Sequence, residues 1–427
     1  MADNVIQLPR PQSTRPEMEP LGLYLRVGRN QHRDLLDVLS SGERNFHGLV
    51  IDAGNVKRHG DLLSRALKEG LDVALDPKTH AMALPGGFSS SMTNLPWGLE
   101  RHHNIRDFAG DAGRQVAHRI SEFAQEHNFT QILGPTHLLS GPNDPWLRHD
   151  IGNMAALKYH LQNSSTNIEL IYPLAVSMRV LRNFAERRAL IAAISDAPMD
   201  ALWLRVENFG MDATGEKTVA YIEAARDFHA LGIPIVADHV GGLCGLGLVA
   251  SGSVGGLSHG ITLLETFKAN HWRRPQKSGG ATPATRVYIP RLDVHLKKTD
   301  ADAFLRSSTR TRGRFGCTDT HCCPGGISDM LGNPTRHFVH QKSEQMSSIA
   351  GIPESVRVQE YLDRYVRPIS DDVSAAAGLK TISDQLKTAL NKKQKTLGRY
   401  RQTFAHFAEA DAPETVARRP KLRSERD

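Results

Sequence analysis

The densest group of chemically reactive side chains in this 427-residue sequence is a cysteine cluster. Three of its four cysteines, Cys317, Cys322 and Cys323, lie within seven positions of the stretch RGRFGCTDTHCCPGG (312–326). Neighbouring cysteines in a reducing compartment are poor disulfide partners. Thiolates and imidazole bind tetrahedral Zn²⁺, and such a site stabilises a loop that has no core of its own. We therefore predict that the three cysteines and His340 bind Zn²⁺. The alternatives for one ligand are His337, His321 and Asp319. Reduced structural thiols and a redox-active cysteine are the other interpretations.

Carboxylates end two of the apolar runs in the sequence. Asp76 ends DVALD, and Asp238 ends IPIVAD. Two carboxylates in one pocket acquire different pKa values and take different roles. We therefore predict Asp238 as a nucleophile and Asp76 as the residue that orients the substrate or transfers protons, with a helix cap as the alternative role for each. Further polar residues at the ends of apolar runs are predicted to contact the substrate: Asp52, His80, His137, Glu207 and His239. A buried structural role is the alternative for the histidines.

The segment ADHVGGLCGLGLVASGSVGGLSHG (237–260) is rich in glycine. Backbone without side chains can approach a ligand closely, and its amides can bind a phosphate or the edge of a base. This pattern predicts a binding role for Gly241, Gly242, Ser253, Gly255 and Gly256. Tight packing within the fold is the alternative interpretation.

Eight short apolar runs, separated by amphipathic helical segments, occupy residues 21–265. Alternating strands and helices predict an α/β protein with a parallel sheet, and eight units predict closure into a (β/α)8 TIM barrel. A doubly wound open sheet is the alternative. The carboxyl ends of barrel strands are where active sites form, so the residues above are expected to converge there. The runs are 21–28, 47–55, 71–80, 130–139, 168–177, 201–210, 233–242 and 247–256.

The pattern changes after residue 265, and the stretch RRPQKSGGATPAT (273–285) indicates a linker. We predict a disordered N-terminal arm at 1–20, the barrel at 21–272, a zinc-binding and helical nucleic-acid-binding module at 286–410, and a basic disordered tail at 411–427.

The net charge of +7 and the sequence pI of about 9.2 favour a polyanionic partner. Basic clusters occupy the C-terminal part of the chain, and solvated surface is the alternative role for each. The sequence has no apolar run of signal-peptide or membrane-helix length, so we expect a cytoplasmic protein with no membrane partner. The clusters are 271–277, 306–314, 391–401 and 417–426.

A glycine-rich late barrel followed by a cysteine cluster resembles the tRNA-guanine transglycosylase superfamily, including bacterial members that insert 7-deazaguanine bases into DNA. The base-binding GGLxxG loop of that family is matched by Gly241-Gly242-Leu243 and, with full spacing, by GGLSHG (255–260). The GGF turn of the family is matched by Gly86, Gly87 and Phe88, and its Cys-x-Cys-x2-Cys motif by Cys317 and Cys322.

The resemblance implies a (β/α)8 barrel with a zinc subdomain, and an Asp nucleophile that becomes linked to the sugar. Leu84 stands where the family has an aspartate, so the role of that residue is transferred to Asp76. If GGLSHG is the base-binding loop, the nucleophile is Asp293 instead of Asp238. Asp319 stands in place of the middle cysteine.

Together these features predict an enzyme that replaces guanine by a 7-deazaguanine base in DNA or tRNA. Zn²⁺ would be its cofactor, and partner proteins or a homodimer would be compatible with the sequence. Two alternatives remain open: a phosphate-binding barrel enzyme that acts on a small metabolite, and a non-catalytic nucleic-acid-binding subunit of a larger complex.

Overall fold

The computed structural model describes residues 22–42, 45–89, 92–164, 166–275 and 284–408. The predicted arm at 1–20 and the predicted tail at 411–427, including the basic cluster at 417–426, lie outside these residues. So do residues 276–283 of the predicted linker.

Eight parallel strands form a closed barrel, as the sequence predicts. The first strand pairs with both the second and the last, which closes the sheet. Because helices cover the outside, the strands are buried on both faces and are apolar along most of their length. The barrel strands are β1 (Gly22–Arg26), β2 (Gly48–Asp52), β3 (Asp72–Asp76), β4 (Gln131–Leu133), β6 (Glu169–Ser177), β7 (Ala201–Glu207), β8 (Ile235–Asp238) and β9 (Gly256–Gly260). A short strand, β5 (Leu138–Leu139), pairs with the carboxyl-terminal half of β6.

Helices connect the strands and cover the barrel. Asp144 begins one of them by accepting a hydrogen bond from the backbone N–H of Trp146, with Pro145 in the first turn. The helices are α1 (His32–Ser40), α2 (Gly60–Lys68), α3 (Thr79–Met82), α4 (Gly110–Glu126), α5 (Pro145–Asn163), α6 (Met178–Arg182), α7 (Phe184–Ile194), α8 (Glu216–Phe228) and α9 (Gly242–Ala250). The 3-10 turns are Ala53–Arg58, Ile105–Phe108, His229–Leu231 and Ala269–Trp272.

The prediction of the eighth strand at 247–256 is wrong. The eighth strand is β9, and the predicted run instead covers the last four residues of helix α9, the turn after it and only the first residue of β9. All nine residues of α9 are buried, because the C-terminal helices cover the face that would otherwise meet solvent. A helix that is apolar all round has no amphipathic period, so its sequence looks like that of a buried strand.

The C-terminal region packs onto one side of the barrel. It consists of a hairpin and a set of helices that contact α1 and α9. Its elements are β10 (Arg286–Ile289), β11 (Val294–Lys297), α10 (Lys298–Arg306), α11 (Thr309–Phe315), α12 (Ile327–Gly332), α13 (Pro334–Ala350), α14 (Glu354–Tyr361), a π turn (Leu362–Val366), α15 (Arg367–Ala377) and α16 (Asp384–Ala408). Among the described residues, no helix combines the length and apolar character needed to cross a bilayer.

Gly247 lets α16 pack closely on α9. A Cβ atom at this position would lie 2.3 Å from the Phe404 ring. We expect Gly247→Ala to lower the free energy of unfolding by about 1–3 kcal/mol, because a well-packed contact must separate. Gly152→Ala on α5 is the matched control, since a Cβ there meets nothing within 4 Å. The control is expected to be neutral or stabilising by up to about 1 kcal/mol in urea denaturation. Equal stability of the two variants would contradict this account of the α9 and α16 contact.

Candidate functional site at the barrel mouth

Inward-pointing side chains form an apolar layer and a charged layer in the barrel. Successive residues of a strand point to opposite faces, so inward positions recur every two residues. The apolar layer includes Tyr24, Ala74, Trp203 and Val236. The residues two positions later on the same four strands are Arg26, Asp76, Arg205 and Asp238. We call these four residues the charged network. It lies at the carboxyl ends of the strands, where barrel enzymes have their active sites.

The charged network brings the two predicted catalytic carboxylates together through two arginines. Arg26 donates from Nε and Nη2 to the two oxygens of Asp238, both at 2.8 Å, and from Nη1 to Asp76 at 2.9 Å. Arg205 donates to Asp238 at 2.5 Å and to Asp76 at 3.0 Å. All four side chains are buried. Each carboxylate therefore bridges the same two guanidinium groups, with charge-assisted bonds of the strong kind.

Both carboxylates are ionised. Burial alone would raise the pKa of Asp238, but Arg26 and Arg205 outweigh it and hold that pKa far below its usual range. Burial likewise opposes ionisation of Asp76, whose pKa Arg205, Lys78 and Arg26 hold well below the usual range. The pKa of Arg26 is raised, since Asp238 and Asp76 outweigh its burial. The charged network therefore consists of two buried cations and two buried anions.

Two neutral imidazoles flank the charged network. Arg205 Nη1 donates to His80 Nδ1 at 3.0 Å. Burial and the nearby arginines lower the pKa of both His80 and His239 well below the usual value, so neither ring carries a charge at neutral pH. Among the described residues, neither ring nitrogen of His239 has a hydrogen-bond partner, although the ring is buried. Its backbone has φ of 61°, a conformation that non-glycine residues rarely adopt and that often marks functional positions.

Residues 261–275, which we call the strap, cover the mouth. The Phe267 ring lies 5.4 Å from the His239 ring, and the Trp272 ring lies 5.4 Å from the His80 ring. The backbone N–H of Asn208 donates to the Phe267 carbonyl at 2.7 Å, so the strap is attached to the loop after β7. The residues of the charged network beneath this cover are at most 3% exposed.

Several predicted residues contact the strap or lie at the rim of the mouth. Glu207 accepts two bonds from Arg273, at 3.0 and 3.1 Å. The backbone N–H of Gly86 donates to the Trp272 carbonyl at 2.6 Å, and a Cβ at Gly86 would lie 2.0 Å from the Arg274 carbonyl oxygen. Gly87 and the half-buried Phe88 continue this turn. Asp52 lies 3.6 Å from the Lys78 ammonium on the same rim.

Gly241 and Gly242 lie at the start of α9, shortly after Asp238. The Gly242 N–H donates to Glu265 Oε1 at 3.1 Å, and a Cβ at Gly241 would lie 2.1 Å from the same oxygen. Glu265 Oε2 in turn pairs with His295 Nε2 at 2.6 Å. Burial would raise the pKa of Glu265, but His295 lowers it to about 2. This pair connects the mouth to the hairpin of the C-terminal region.

Four other predicted residues do not join the charged network. Ser253, Gly255 and Gly256 lie at the amino end of β9, at the opposite end of the barrel, because β9 begins where the predicted strand ended. His137 lies in the helix layer, where its Nδ1 pairs with Asp150 at 2.6 Å and its ring stacks on Trp146. The expectation that these four residues share a pocket with Asp238 is therefore not met.

Asp293, the alternative nucleophile, anchors the C-terminal helices. It pairs with Lys393 at 2.5 Å, accepts a bond from Tyr288 OH at 2.9 Å and lies 3.5 Å from Lys342 Nζ. It also accepts a 3.3 Å bond from the Leu243 N–H at the start of α9. Its oxygens thus serve contacts between α9, α13, α16 and the hairpin.

The cysteine cluster has the geometry of a four-ligand metal site. Cys322 Sγ lies 3.5 Å from both Cys317 Sγ and Cys323 Sγ. His337 Nδ1 lies 3.7 Å from Cys322 Sγ and 3.5 Å from Cys323 Sγ. Ligands at about 2.3 Å from a tetrahedral Zn²⁺ lie about 3.8 Å apart. The four ligand atoms therefore fit one ion, although the geometry does not select which metal.

His337, and not the predicted His340, is the fourth residue of this cluster. His340 Nε2 pairs instead with Asp319 Oδ2 at 2.8 Å. His337 Nε2 donates a hydrogen bond to the Tyr288 carbonyl at 3.1 Å, which orients Nδ1 toward the sulfurs. Carbonyl partners of this kind commonly orient metal-binding histidines. Hydrogen bonding to a Cys317 thiolate raises the pKa of Cys322 and of Cys323, so the three thiols do not ionise together without a cation.

Arg26, Arg205 and Glu265 are site residues that were not predicted from the sequence. The two arginines did carry a signal, because each interrupts an apolar strand, in LYLRV and WLRVE. A charge is rarely placed inside a buried strand without a partner of opposite sign. That rule predicts carboxylate partners but does not identify which ones. Glu265 carried no comparable signal.

Comparisons with known proteins return matches only among solved structures. No family model and no curated protein matches this chain. A GH10 xylanase from Bispora sp. MEY-1 with xylobiose has a TM-score of 0.38 and 10% identity, over 57% of this chain and 85% of that chain. Thiamine phosphate pyrophosphorylase from Pyrococcus furiosus has a TM-score of 0.31 and 12% identity, over 59% of this chain and 92% of that chain. The carboxyl transferase domain of Rhizobium etli pyruvate carboxylase has a TM-score of 0.40 and 9% identity, over 94% of this chain and 67% of that chain. At these values the similarity says nothing about activity.

Proposed function

We propose that this protein is an enzyme whose active site is the barrel mouth, and that it exchanges guanine for a 7-deazaguanine base in DNA or tRNA. The observation that carries the proposal is the convergence of Asp76 and Asp238 on one buried network, beside the neutral His239, whose ring nitrogens have no hydrogen-bond partner among the described residues. An ionised carboxylate is the nucleophile that such an exchange needs, and an imidazole can move the proton.

The reaction divides into two displacements at the sugar carbon C1′. An oxygen of Asp238 forms a bond to C1′ while the bond from C1′ to guanine breaks, and guanine leaves with the electron pair and takes up one proton. The incoming base then loses one proton and displaces the carboxylate. Guanine takes its proton from solvent, and His239 is suited to accept the proton of the incoming base in the second step, because its ring is neutral and neither ring nitrogen has a partner within the described residues.

Asp238 must first lose an arginine contact. Both of its oxygens accept bonds from Arg26 or Arg205, and these bonds weaken a carboxylate as a nucleophile. A phosphate of the substrate would compete for the same guanidinium groups, so substrate binding would release the nucleophile. The target nucleotide would have to leave its stack to reach the mouth, and the strap would have to move aside.

The cysteine cluster has a structural role in this proposal. Cys317, Cys322, Cys323 and His337 would hold a Zn²⁺ ion, which would fix the loop between α11 and α12. His337 also contacts the hairpin through Tyr288, and the hairpin contacts Glu265 through His295. The metal-binding loop and the mouth are therefore linked by direct contacts.

Incorporation of labelled guanine into tRNA and into duplex DNA tests the proposal. We expect wild-type protein to incorporate label into one of them and to form an adduct that survives denaturation. Asp238→Asn is expected to abolish both signals. Asp293→Asn is the matched control, because it also removes the charge of a buried carboxylate but leaves the mouth intact, and it is expected to retain exchange. Circular dichroism checks that both variants fold. The absence of exchange in wild type on both substrates, or loss only in Asp293→Asn, would contradict the proposal.

A second candidate function is catalysis on a small phosphorylated or carboxylated metabolite. The specific observation in its favour is the strap, whose Phe267 and Trp272 cover the mouth, and the full burial of Asp238 among the described residues. Two buried arginines also suit an anionic metabolite. Nucleic-acid binding that falls steeply with added salt favours base exchange, and salt-insensitive or undetectable binding favours the metabolite.

A further inference from the structure

A cleft beside the mouth carries a cluster of cations. It has a volume of about 690 Å³ and lies between the loop after β7, the strap and α16. We call it the rim cleft. Four basic residues line it: Arg182, Lys217, Lys268 and Arg399.

Three of these cations have no carboxylate partner in the part of the chain that the structure describes. Arg182 lies 3.3 Å from Glu216, but Lys217, Lys268 and Arg399 form no ion pair among the described residues. Asp212 is the other carboxylate that lines the cleft. The lining thus has four positive and two negative side chains, an excess of two positive charges. A concave surface with uncompensated cations concentrates anions.

The start of α8 adds a backbone contribution to the same cleft. Gly215 precedes this 13-residue helix and has no side chain to cap it. Gly215, Glu216 and Lys217 all line the cleft. The first amides of a helix and its dipole favour an anion, so the backbone and the side chains of Lys217, Lys268 and Arg399 act in the same direction.

The rim cleft shares a wall with the strap. Thr266 and Lys268 line the cleft, whereas the residues between and after them, Phe267 and Ala269, are buried over the mouth. The strap therefore separates the cleft from the charged network by the thickness of one extended chain. A ligand that spans both places would put its reacting part at Asp238 and an anionic group in the cleft.

From this arrangement we infer that the rim cleft binds a phosphoryl group of the substrate. The inference rests on the proposed function, because it places the reacting part of the same molecule at the mouth. The phosphoryl group belongs either to the backbone of a nucleic acid or to a phosphorylated metabolite. Phosphate suits the cleft because it offers several acceptor oxygens to donors that converge from three elements.

Binding of two probes tests the inference. The first is a fluorescein-labelled single-stranded oligonucleotide of about 12 nucleotides, followed by anisotropy at several salt concentrations. The second is ribose 5-phosphate, followed by calorimetry. The variant combines Lys217→Gln, Lys268→Gln and Arg399→Gln. The matched control combines Lys68→Gln, Arg306→Gln and Lys387→Gln, which remove three exposed cations that do not line the cleft.

We expect the cleft variant to bind its probe at least about tenfold more weakly than wild type. If the oligonucleotide is the ligand, the slope of log affinity against log salt should fall by about 2, since each phosphate contact to a single strand contributes about 0.7. The control should change affinity by less than about threefold. Selective loss of oligonucleotide binding identifies a nucleic acid, and selective loss of ribose 5-phosphate binding identifies a metabolite.

Equal effects of the cleft and control variants would overturn the inference, as would failure of wild type to bind either probe. The assay measures binding, so it does not depend on base exchange. Cleft-dependent binding without exchange would contradict only the proposed reaction. Exchange that is unaffected by the cleft variant would contradict only the phosphoryl site.

Discussion

Replacing Arg205 by methionine is expected to lower the free energy of unfolding by about 3–5 kcal/mol. The substitution leaves Asp76 and Asp238 with one guanidinium group instead of two, at positions where water cannot replace the lost contacts. Removing one partner of a buried ion pair costs this much because an uncompensated charge remains. Urea denaturation at pH 7, followed by circular dichroism, measures the change.

Arg306→Met is the control for that experiment. Arg306 pairs with Asp302 at 2.6 Å, but both side chains are exposed. Exposed pairs contribute about 0–1 kcal/mol, so the control should change little. If Arg205→Met cost no more than Arg306→Met, the charged network would not be a buried ionic structure.

The pH dependence of stability should change in the same variant. In the wild type, the folded pKa values of Asp76 and Asp238 lie below their unfolded values of about 3.9. Their contribution is therefore fully present above the unfolded pKa and is lost as pH falls toward the folded pKa. With one arginine removed, the two pKa values rise toward their unfolded values. We thus expect the loss of stability between about pH 5 and pH 2 to be shallower in Arg205→Met than in wild type. Parallel curves would contradict the network's charge state.

Substitution in the cysteine cluster is expected to have the second large effect. Cys322→Ser should reduce the metal content from about one ion per chain to near zero. Cys322 Sγ lies within 3.7 Å of each of the other three ligand atoms, so its loss removes the central ligand of the group. Loss of a structural ion costs several kcal/mol, since the binding free energy of the ion is coupled to folding. Elemental analysis and thermal denaturation measure the two effects.

The histidine substitutions identify the fourth ligand. His337→Gln should lose the metal as Cys322→Ser does, whereas His340→Gln should retain it, because His340 pairs with Asp319. Cys244→Ala is a further control, since Cys244 is buried in α9 outside the cluster and should keep full metal content. Metal loss in His340→Gln with retention in His337→Gln would favour the second group, formed by Asp319, Cys322 and His340.

Under the proposed function, the arginines limit the reactivity of Asp238, and the strap limits access to it. The three hydrogen bonds that hold Asp238 would stabilise it and lower its reactivity, and the strap would restrict access to it. Both conditions change together if substrate displaces the strap and draws an arginine away. The rim cleft lies at the outer face of the strap, so an anion bound there is positioned to influence that step.

The closed barrel was predictable because its signals are local. Each apolar run and each amphipathic helix can be recognised within about ten residues, and eight repeats of the unit predict closure. The convergence of Asp76 and Asp238 follows from the same logic, since both end a strand of one parallel sheet. The cysteine cluster was predictable because Cys317, Cys322 and Cys323 are near neighbours in the chain.

Tertiary structure decided what depends on contacts between distant segments. The eighth strand and α9 could not be told apart, because α9 is apolar on every face, and only the tertiary structure shows that the C-terminal helices bury its outer face. His337 and His340 are one helical turn apart, and only the packing of α13 against the hairpin directs His337 to the sulfurs. Arg26 and Arg205 meet the same two carboxylates because barrel closure brings strands β1, β3, β7 and β8 to one layer. Sequence periodicity records which face a residue occupies, but the partner across the barrel depends on register and closure, which no short stretch of the chain encodes.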